Sequence, residues 1–351
     1  MPKTELSQED SGTAKRTMKN LVRFLMASLF VLFVVVSTVS MVGLQPNSSD
    51  PFSVDLIISI PKGASGWDIS RVLMDNGIVK DAHFFAGLIR LTGTDSRLQA
   101  GDYLLNPTMS PLQIIDKLNQ GQVYTQRVVI PEGFEIKQIA SLLANHDLVD
   151  RERFIMLAHD ASLVYGDIYP IDLPIRSLEG YLFPDTYGFV KGQTEEAIIR
   201  QMVSRFIAVV PELIEGMVLP DDFTLHQILT LASIVEKEVM VNRERPIVAS
   251  VYLNRLAIDM PLQADPTVRY VMTEKRSQVL YRDLDIQSPY NTYRNRGLPP
   301  GPIASPGVRS ILAVLKPADT DYFFFVSQRN GTHRFTRTFE QHVQARRELG
   351  Y

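Results

Sequence analysis

Cysteine is absent from all 351 residues, which excludes disulfides, zinc–thiolate centres and cysteine nucleophiles. An excess of basic residues is absent too. Lysine and arginine number 36 against 39 aspartates and glutamates, a net charge of −3, so no nucleic-acid partner is expected. The six histidines are scattered, without H-E-x-x-H or a comparable ligand spacing. No metal and no other cofactor is expected. What the chain does have is ordinary globular content, 45% hydrophobic and 21% charged, in a length that accommodates more than one domain.

One segment departs from that average. Residues 24–44 read FLMASLFVLFVVVSTVSMVGL, without a charge. At about 1.5 Å per residue this run crosses a bilayer core of about 30 Å. Lys15, Arg16, Lys19 and Arg23 precede it, and the next charge is Asp50. The positive-inside rule then places residues 1–23 in the cytoplasm and everything after Leu44 outside. The run is too long for a signal-peptide core, and no good cleavage site follows. The expectation is an uncleaved single-pass anchor, followed by a short polar linker over 45–52.

The remainder opens with a repeat. ISIPKGASGWDISRVLMDNGIVKDAHFF, from 58, aligns without a gap on VVIPEGFEIKQIASLLANHDLVDRERFI, from 128. Each copy starts as a β-branched strand that ends at Pro-x-Gly, and continues into a helix with apolar residues at 69, 72 and 73 or at 139, 142 and 143. A second short helix is expected near Asp81 and near Arg151. The predicted fold class is mixed α+β: a small α/β module over 53–122, then a larger α+β domain over 123–351.

Within the second domain, PDDFTLHQILTLASIVEKEV carries a capping box, Thr224 with Gln227, and predicts a helix over about 225–239. At 100° per residue from Leu225, Ile228, Leu229, Ala232, Val235 and Val239 share one arc. Glu236 falls at about 20°, inside that arc, and Glu238 at about 220°, on the side of Gln227. A carboxylate on an apolar face is costly unless paired or protonated. Unpaired, it is the environment of a general acid. The alternative is a structural ion pair with an arginine of NRER or LNRL. Glu238 reads as a solvated residue.

Further along, SPYNTYRNRGLPPGPIASPG (288–307) is dense in proline and glycine yet rich in tyrosine and hydrogen-bonding groups. It suits either an ordered sugar-binding loop, in which tyrosine stacks on a pyranose and an amide meets hydroxyls, or a plain surface covering. A β-hairpin, YFFFVS and THRFT around QRNG, and a helix over FEQHVQARREL close the chain.

Four of these stretches, LEGYLFPDTY (178–187), LASIVEKE (231–238), LNRL…MPLQADPTVRY (253–270) and YNTYRNRGLPPGPIASPG (290–307), resemble in order the endolytic murein transglycosylases. The resemblance implies a bacterial inner-membrane protein with a periplasmic body, made of a LysM-like module and a catalytic domain. It implies peptidoglycan glycan strands as substrate and peptidoglycan synthases as partners. Such an enzyme cuts nascent strands internally between N-acetylmuramic acid and N-acetylglucosamine, ending their growth. The first glutamate of its E-K-E, here Glu236, is the catalytic acid that the resemblance implies. Gln263, Asp265, Tyr290, Asn291, Tyr293 and Glu179 are the candidate substrate-binding residues. A glycoside hydrolase, or a tethered wall-binding protein without catalysis, is the competing class.

A chain shortened to begin near Pro46 is expected to fold and to stay in solution. Its complete recovery with membranes after a salt wash would overturn the single-anchor reading.

Overall fold

A stretch free of proline, and uncharged from Phe24 on, forms the first helix, α1 (Glu9–Gly43). The computed structural model describes residues 9–217, 219, 223–273 and 279–351. Residues 1–8 of the expected cytoplasmic tail, and the side chains of Lys15, Arg16, Lys19, Val36, Val39 and Ser40, lie outside that description. Phe24, Leu29, Phe30 and Phe33 along α1 are exposed. Among the described residues, no helix is long and apolar enough to cross a membrane.

The chain divides into two compact units, Met1–Tyr124 and Thr125–Tyr351. In the first, β1 (Leu56–Ile60) pairs antiparallel with β2 (Gly101–Leu105), with Leu56 opposite Leu105 and Ile60 opposite Gly101. Between them lie α2 (Gly66–Asp75) and α3 (Ala82–Thr92), and α4 (Pro111–Asn119) follows. Each helix starts where a short polar side chain satisfies free backbone donors. Ser65 and Asp68 form a capping box on α2, Asp81 accepts the Phe84 amide on α3, and Ser110 with Gln113 caps α4. Period-two alternation turns Ile58 and Ile60 inward, onto Leu73, Phe85, Ile89, Tyr103 and Leu118.

The second unit repeats that order. Strand β3 (Gln126–Val129) pairs antiparallel with β4 (Thr186–Phe189). Helices α5 (Ile136–Asn145), α6 (Arg151–His159) and the short α7 (Ser162–Tyr165) lie between, and α8 (Glu195–Ile214) follows. The sequence repeat is therefore a repeat of structure. Beyond it come α9 (Leu225–Glu238), α10 (Arg245–Ala257), α11 (Asp265–Val271) and α12 (Val308–Leu315). The hairpin β5 (Phe324–Ser327) with β6 (His333–Thr336) and α13 (Phe339–Glu348) end the fold.

Helix α9 is the axis of this unit. Every residue from Ile228 through Val235 is buried, Thr230 and Ser233 included, because α10, α11 and α12 all pack against it. Its two internal hydroxyls are satisfied locally. Thr230 donates to the His226 carbonyl at 2.7 Å, and Ser233 donates to that of Thr230 at 2.7 Å while accepting the Ile303 amide at 3.0 Å. The long loop before α12 is thereby fastened to α9, and Pro299 and residues 301–307 are buried.

Gly180 shows how closely that loop is held. Its φ is +85°, and an added Cβ would lie 2.4 Å from Cβ of Pro302 and 3.4 Å from the Ala304 carbonyl. Neither neighbour is a flexible chain end. Gly180→Ala is expected to destabilise the fold by about 2 kcal/mol, from left-handed strain and overpacking together. A urea unfolding midpoint checks it.

Candidate active site

The two glutamates at the end of α9 enter different surroundings: Glu236 is buried, as the helical wheel suggests, and Glu238 departs from it. Glu236 is a buried ion pair. Its Oε1 lies 3.1 Å from Arg245 Nη1, with the two side chains 6% and 8% exposed. Oε2 accepts the Gly307 amide at 3.1 Å and the Ser310 hydroxyl at 2.8 Å. Ser310 in turn accepts Arg245 Nη1 at 2.7 Å, and Arg245 Nε donates to Asn242 Oδ1 at 3.1 Å. Both carboxylate oxygens are thus occupied by the protein itself. This is the structural alternative, with the arginine supplied by NRER.

Glu238 is not solvated. Its Oε2 is shielded from water and has no hydrogen-bond partner. Burial, followed by the negative charge of Asp265, pushes its carboxyl up to about 7, against the opposing pull of Arg269 and Arg255. The wheel misplaces it because the wheel assumes one buried face. On a helix packed on several sides, the face beside Gln227 is interior as well.

Glu238 opens on a cavity of about 440 Å³ shared with Arg255, Gln263, Asp265 and Tyr293 and walled by β5, β6 and α13. Three of the sequence-chosen residues therefore meet there. Gln263 is exposed and sits at φ 48°, an uncommon backbone conformation for a residue with a side chain. Its amide donates to the Thr292 carbonyl at 3.1 Å, and Ala264 N donates to the Thr292 hydroxyl at 3.0 Å. Asp265 opens α11, and its Oδ1 accepts the Tyr293 hydroxyl at 2.6 Å. Arg255 turns inward and donates to the backbone carbonyls of Phe323, Pro261 and Leu262. It ties the hairpin strand to the loop that carries Gln263.

The other three candidates do not face this cavity. Asn291 is fully buried. Its amide donates to the carbonyls of Leu284 and Ile286, both at 2.9 Å, and its oxygen accepts the Tyr293 amide at 3.0 Å. It shapes the loop that aims Tyr293 and cannot reach a sugar. Tyr290 packs beside Tyr270, ring centroids 5.1 Å apart. Glu179 is 2% exposed and accepts the Ile136 amide at 3.1 Å, so it closes the start of α5 instead of meeting substrate. Tyr270 donates to its other oxygen at 3.3 Å. Burial, with Glu135 adding like charge, pushes Glu179 up to about 8. Sequence reasoning missed the α13 wall, including His342 and Arg346. Its signal was there: a terminal helix with arginines in its last turn following an aromatic hairpin.

Residues 58–348 match the model of the YceG-like family. A Bacillus subtilis protein named endolytic murein transglycosylase is 36% identical over 316 residues, spanning 86% of this chain and 87% of that one. A protein of the same name from Streptococcus pneumoniae is 30% identical over 298 residues, spanning 77% of this chain and 54% of that one. The crystal structure of a YceG-like protein from Listeria monocytogenes superposes with a TM-score of 0.56 at 36% identity, covering 84% of this chain and 99% of that one.

Glu179 makes a prediction about stability. Its folded value of about 8 lies above the ordinary 4.5, so the folded state keeps a proton that the unfolded chain releases. That contribution is complete below about 4.5 and is lost as pH rises toward 8. Glu238 acts in the same direction up to about 7. Melting temperature is expected to fall across that window, and Glu179→Gln, neutral at every pH, is expected to flatten the slope. Thermal melts of both proteins across the range check it.

Proposed function

The chain belongs to the YceG-like family, and on that premise we propose that it is an endolytic peptidoglycan lytic transglycosylase whose acid is Glu238. The observation that carries this assignment is that Glu238 lines a cavity shared with Gln263, Asp265 and Tyr293, with its carboxyl pushed by burial up to about 7. Glu236, the first glutamate of E-K-E, has no oxygen to spare.

The reaction begins with Glu238 protonated. It donates that proton to the glycosidic oxygen between a muramoyl residue and the following glucosamine, and the bond from the anomeric carbon to that oxygen breaks. The primary hydroxyl of the same muramoyl residue attacks the anomeric carbon and closes an anhydro ring. Glu238, now a carboxylate, accepts the hydroxyl proton, so the acid is regenerated and no water is consumed. Tethering of the nucleophile removes part of the entropic barrier. Burial, and after it the like charge of Asp265, favours the protonated form of Glu238, while the Tyr293 hydroxyl donates to Asp265. Gln263 presents a side chain to the glycan at the cavity rim.

The wider organisation is part of the same proposal. The strand-helix-helix-strand unit over 56–105 is a LysM-like glycan-binding module. Helix α1 is a single-pass anchor in the bacterial inner membrane, supported by the uncharged run over 24–44 and by the exposed Phe24, Phe30 and Phe33. The body lies in the periplasm, where peptidoglycan synthases are its partners.

Mass analysis of products from long uncrosslinked strands tests the chemistry. Anhydromuramoyl ends are expected. Glu238→Gln is expected to lower the rate by at least roughly 10²-fold, the low end of general acid catalysis. The wild-type rate is expected to fall as pH rises through about 7, because the reactive form is the protonated acid. Glu236→Gln is expected to lower the melting temperature, since it removes one charge of a buried pair, and to leave the product anhydro. Loss of turnover confined to Glu236→Gln would return the acid to Glu236. Reducing ends in place of anhydro ends would make Asp265 the base of a hydrolase.

A further inference from the structure

The segment between the uncharged run and the first strand is held by the module it leads to. Asn47 Nδ2 donates to the Gly77 carbonyl at 2.6 Å, Ser48 N donates to the Pro107 carbonyl at 2.9 Å, and the Ser53 carbonyl accepts Asn106 Nδ2 at 3.0 Å. Leu44 and Phe84 both pack on the core of the first unit, and a Cβ added to Gly43 would lie 2.5 Å from the Phe84 ring. The end of α1 therefore rests on α3.

This segment and the module enclose a cavity of about 600 Å³. Its wall carries the hydroxyls of Ser48, Ser49 and Thr108, the amides of Gln45 and Asn47, and the ammonium of Lys80. Among the described residues, Lys80 is the one charged side chain on that wall, and no aromatic ring lines it. Lys80 is exposed and, among the described residues, makes no ion pair and no side-chain hydrogen bond. Three carboxylates close by in the chain are engaged by the protein. Asp50 accepts the Phe52 amide at 2.9 Å, Asp55 accepts Asn106 Nδ2 at 2.9 Å, and Asp81 accepts the Phe84 amide at 2.7 Å. Phe52 and Val54, at the end of the same segment, are 87% and 73% exposed.

We propose that this cavity binds the phosphate of a membrane phospholipid through Lys80, with Phe52 and Val54 seated in the bilayer interface beside it. This rests on the anchor reading above and is independent of the glutamates of α9. The uncharged run ends at Leu44 and the cavity begins at Gln45. One residue advances the chain by at most about 3.6 Å, so with α1 across the bilayer the cavity opens at the level of the headgroups. Hydroxyls, an amide N–H and an ammonium are donors, the set from which a phosphate accepts. A sugar would call for a ring to stack on, which this wall lacks. Exposed apolar side chains at that level enter the boundary between headgroups and acyl chains. The first unit is then set at one height on the membrane, since the segment joining it to the anchor is bonded down along its length.

Two measurements on the full-length chain test this. In detergent it is titrated with a short-chain phosphatidylglycerol, and bound lipid is counted by native mass spectrometry. Lys80→Gln is expected to bind about fivefold more weakly than wild type, the worth of one lysine at an anionic surface, and Lys80→Arg to stay close to wild type. Equal binding by wild type and Lys80→Gln overturns the proposal. Displacement of the lipid by inorganic phosphate at the same concentration would make the cavity a site for free anions and overturn it as well. The second measurement uses vesicles of the same lipid. Because the chain has no cysteine, a single fluorescent label can be placed at Phe52→Cys, before β1, or at Lys62→Cys, after it. The label at 52 is expected to be quenched by lipid-borne spin labels and shielded from iodide, and the label at 62 to stay open to iodide. A label at 52 open to iodide, or equal shielding at both positions, in vesicles that retain the protein overturns the proposal while the anchor stands. Protein that fails to float with the vesicles removes the anchor reading, and the proposal with it.

Discussion

The ion pair between Glu236 and Arg245 is the constraint on which the rest of the second unit depends. Through Gly307 and Ser310, its carboxylate joins the end of α9 to the start of α12. Its arginine brings in the start of α10. The neighbouring Lys237 donates to the Gly133 carbonyl at 3.0 Å, and Gly133 N donates to the Ser305 carbonyl at 2.8 Å, which adds the turn after β3. Three segments, the turn after β3 and the starts of α10 and α12, are therefore set relative to one helix end. Two buried charges cost free energy to desolvate and return it only when fully hydrogen-bonded. Here both carboxylate oxygens and the guanidinium have partners. The yield is a fixed phase for α9, and that phase decides where Glu238, two residues later, must point.

The duplicated unit shows what this constraint changed. Both copies make the same Pro-x-Gly turn, at 61–63 and 131–133, and both glycines have positive φ, 77° and 76°. Gly63 has open space where a Cβ would be, whereas Gly133 has Glu236 Cγ at 3.4 Å and Lys237 Cδ at 3.7 Å. One copy keeps its turn free. The other has its turn packed on α9, so the same turn became part of the support of that helix. Gly307 repeats the theme: a Cβ there would lie 2.0 Å from Glu132 Oε1.

Most of the fold was legible because its signals are local. The repeat, the capping boxes at Thr224 and Thr338, the proline at the start of α10 and the final hairpin all follow from residues near one another in the chain. Tyr293 was legible within an ordered loop, since unusual density of polar and aromatic residues in a proline-stiffened segment marks one, whereas Gln263 and Asp265, from the stretch over 253–270, were picked out by the family resemblance. What was not legible was burial around α9. The run LTLASIV is apolar or small at every position, which is the pattern of a helix enclosed on all sides, and a one-faced wheel cannot represent it. Asn291 and Glu179 are buried as well, and no local pattern announces that. A buried amide that closes a turn and an exposed amide that binds a sugar have the same sequence, and only the location of their partners separates them.

Two carboxylates in one cavity need different protonation states to divide the labour of acid and electrostatic partner. Sequence alone offers no reason for Glu238 and Asp265 to differ. The structure supplies one through asymmetric hydrogen bonding. Asp265 receives the Tyr293 hydroxyl at 2.6 Å. Tyr293 is aimed by Asn291, and Asn291 is held by the carbonyls of Leu284 and Ile286. Glu238 receives no hydrogen bond at Oε2, and the Asp265 charge favours its neutral form. The buried asparagine thus contributes at a distance: by fixing the tyrosine it gives one carboxylate of the cavity a hydrogen bond that its neighbour lacks at Oε2. A proline-rich loop with no charge in the cavity of its own thereby makes the surroundings of the two carboxyls unequal.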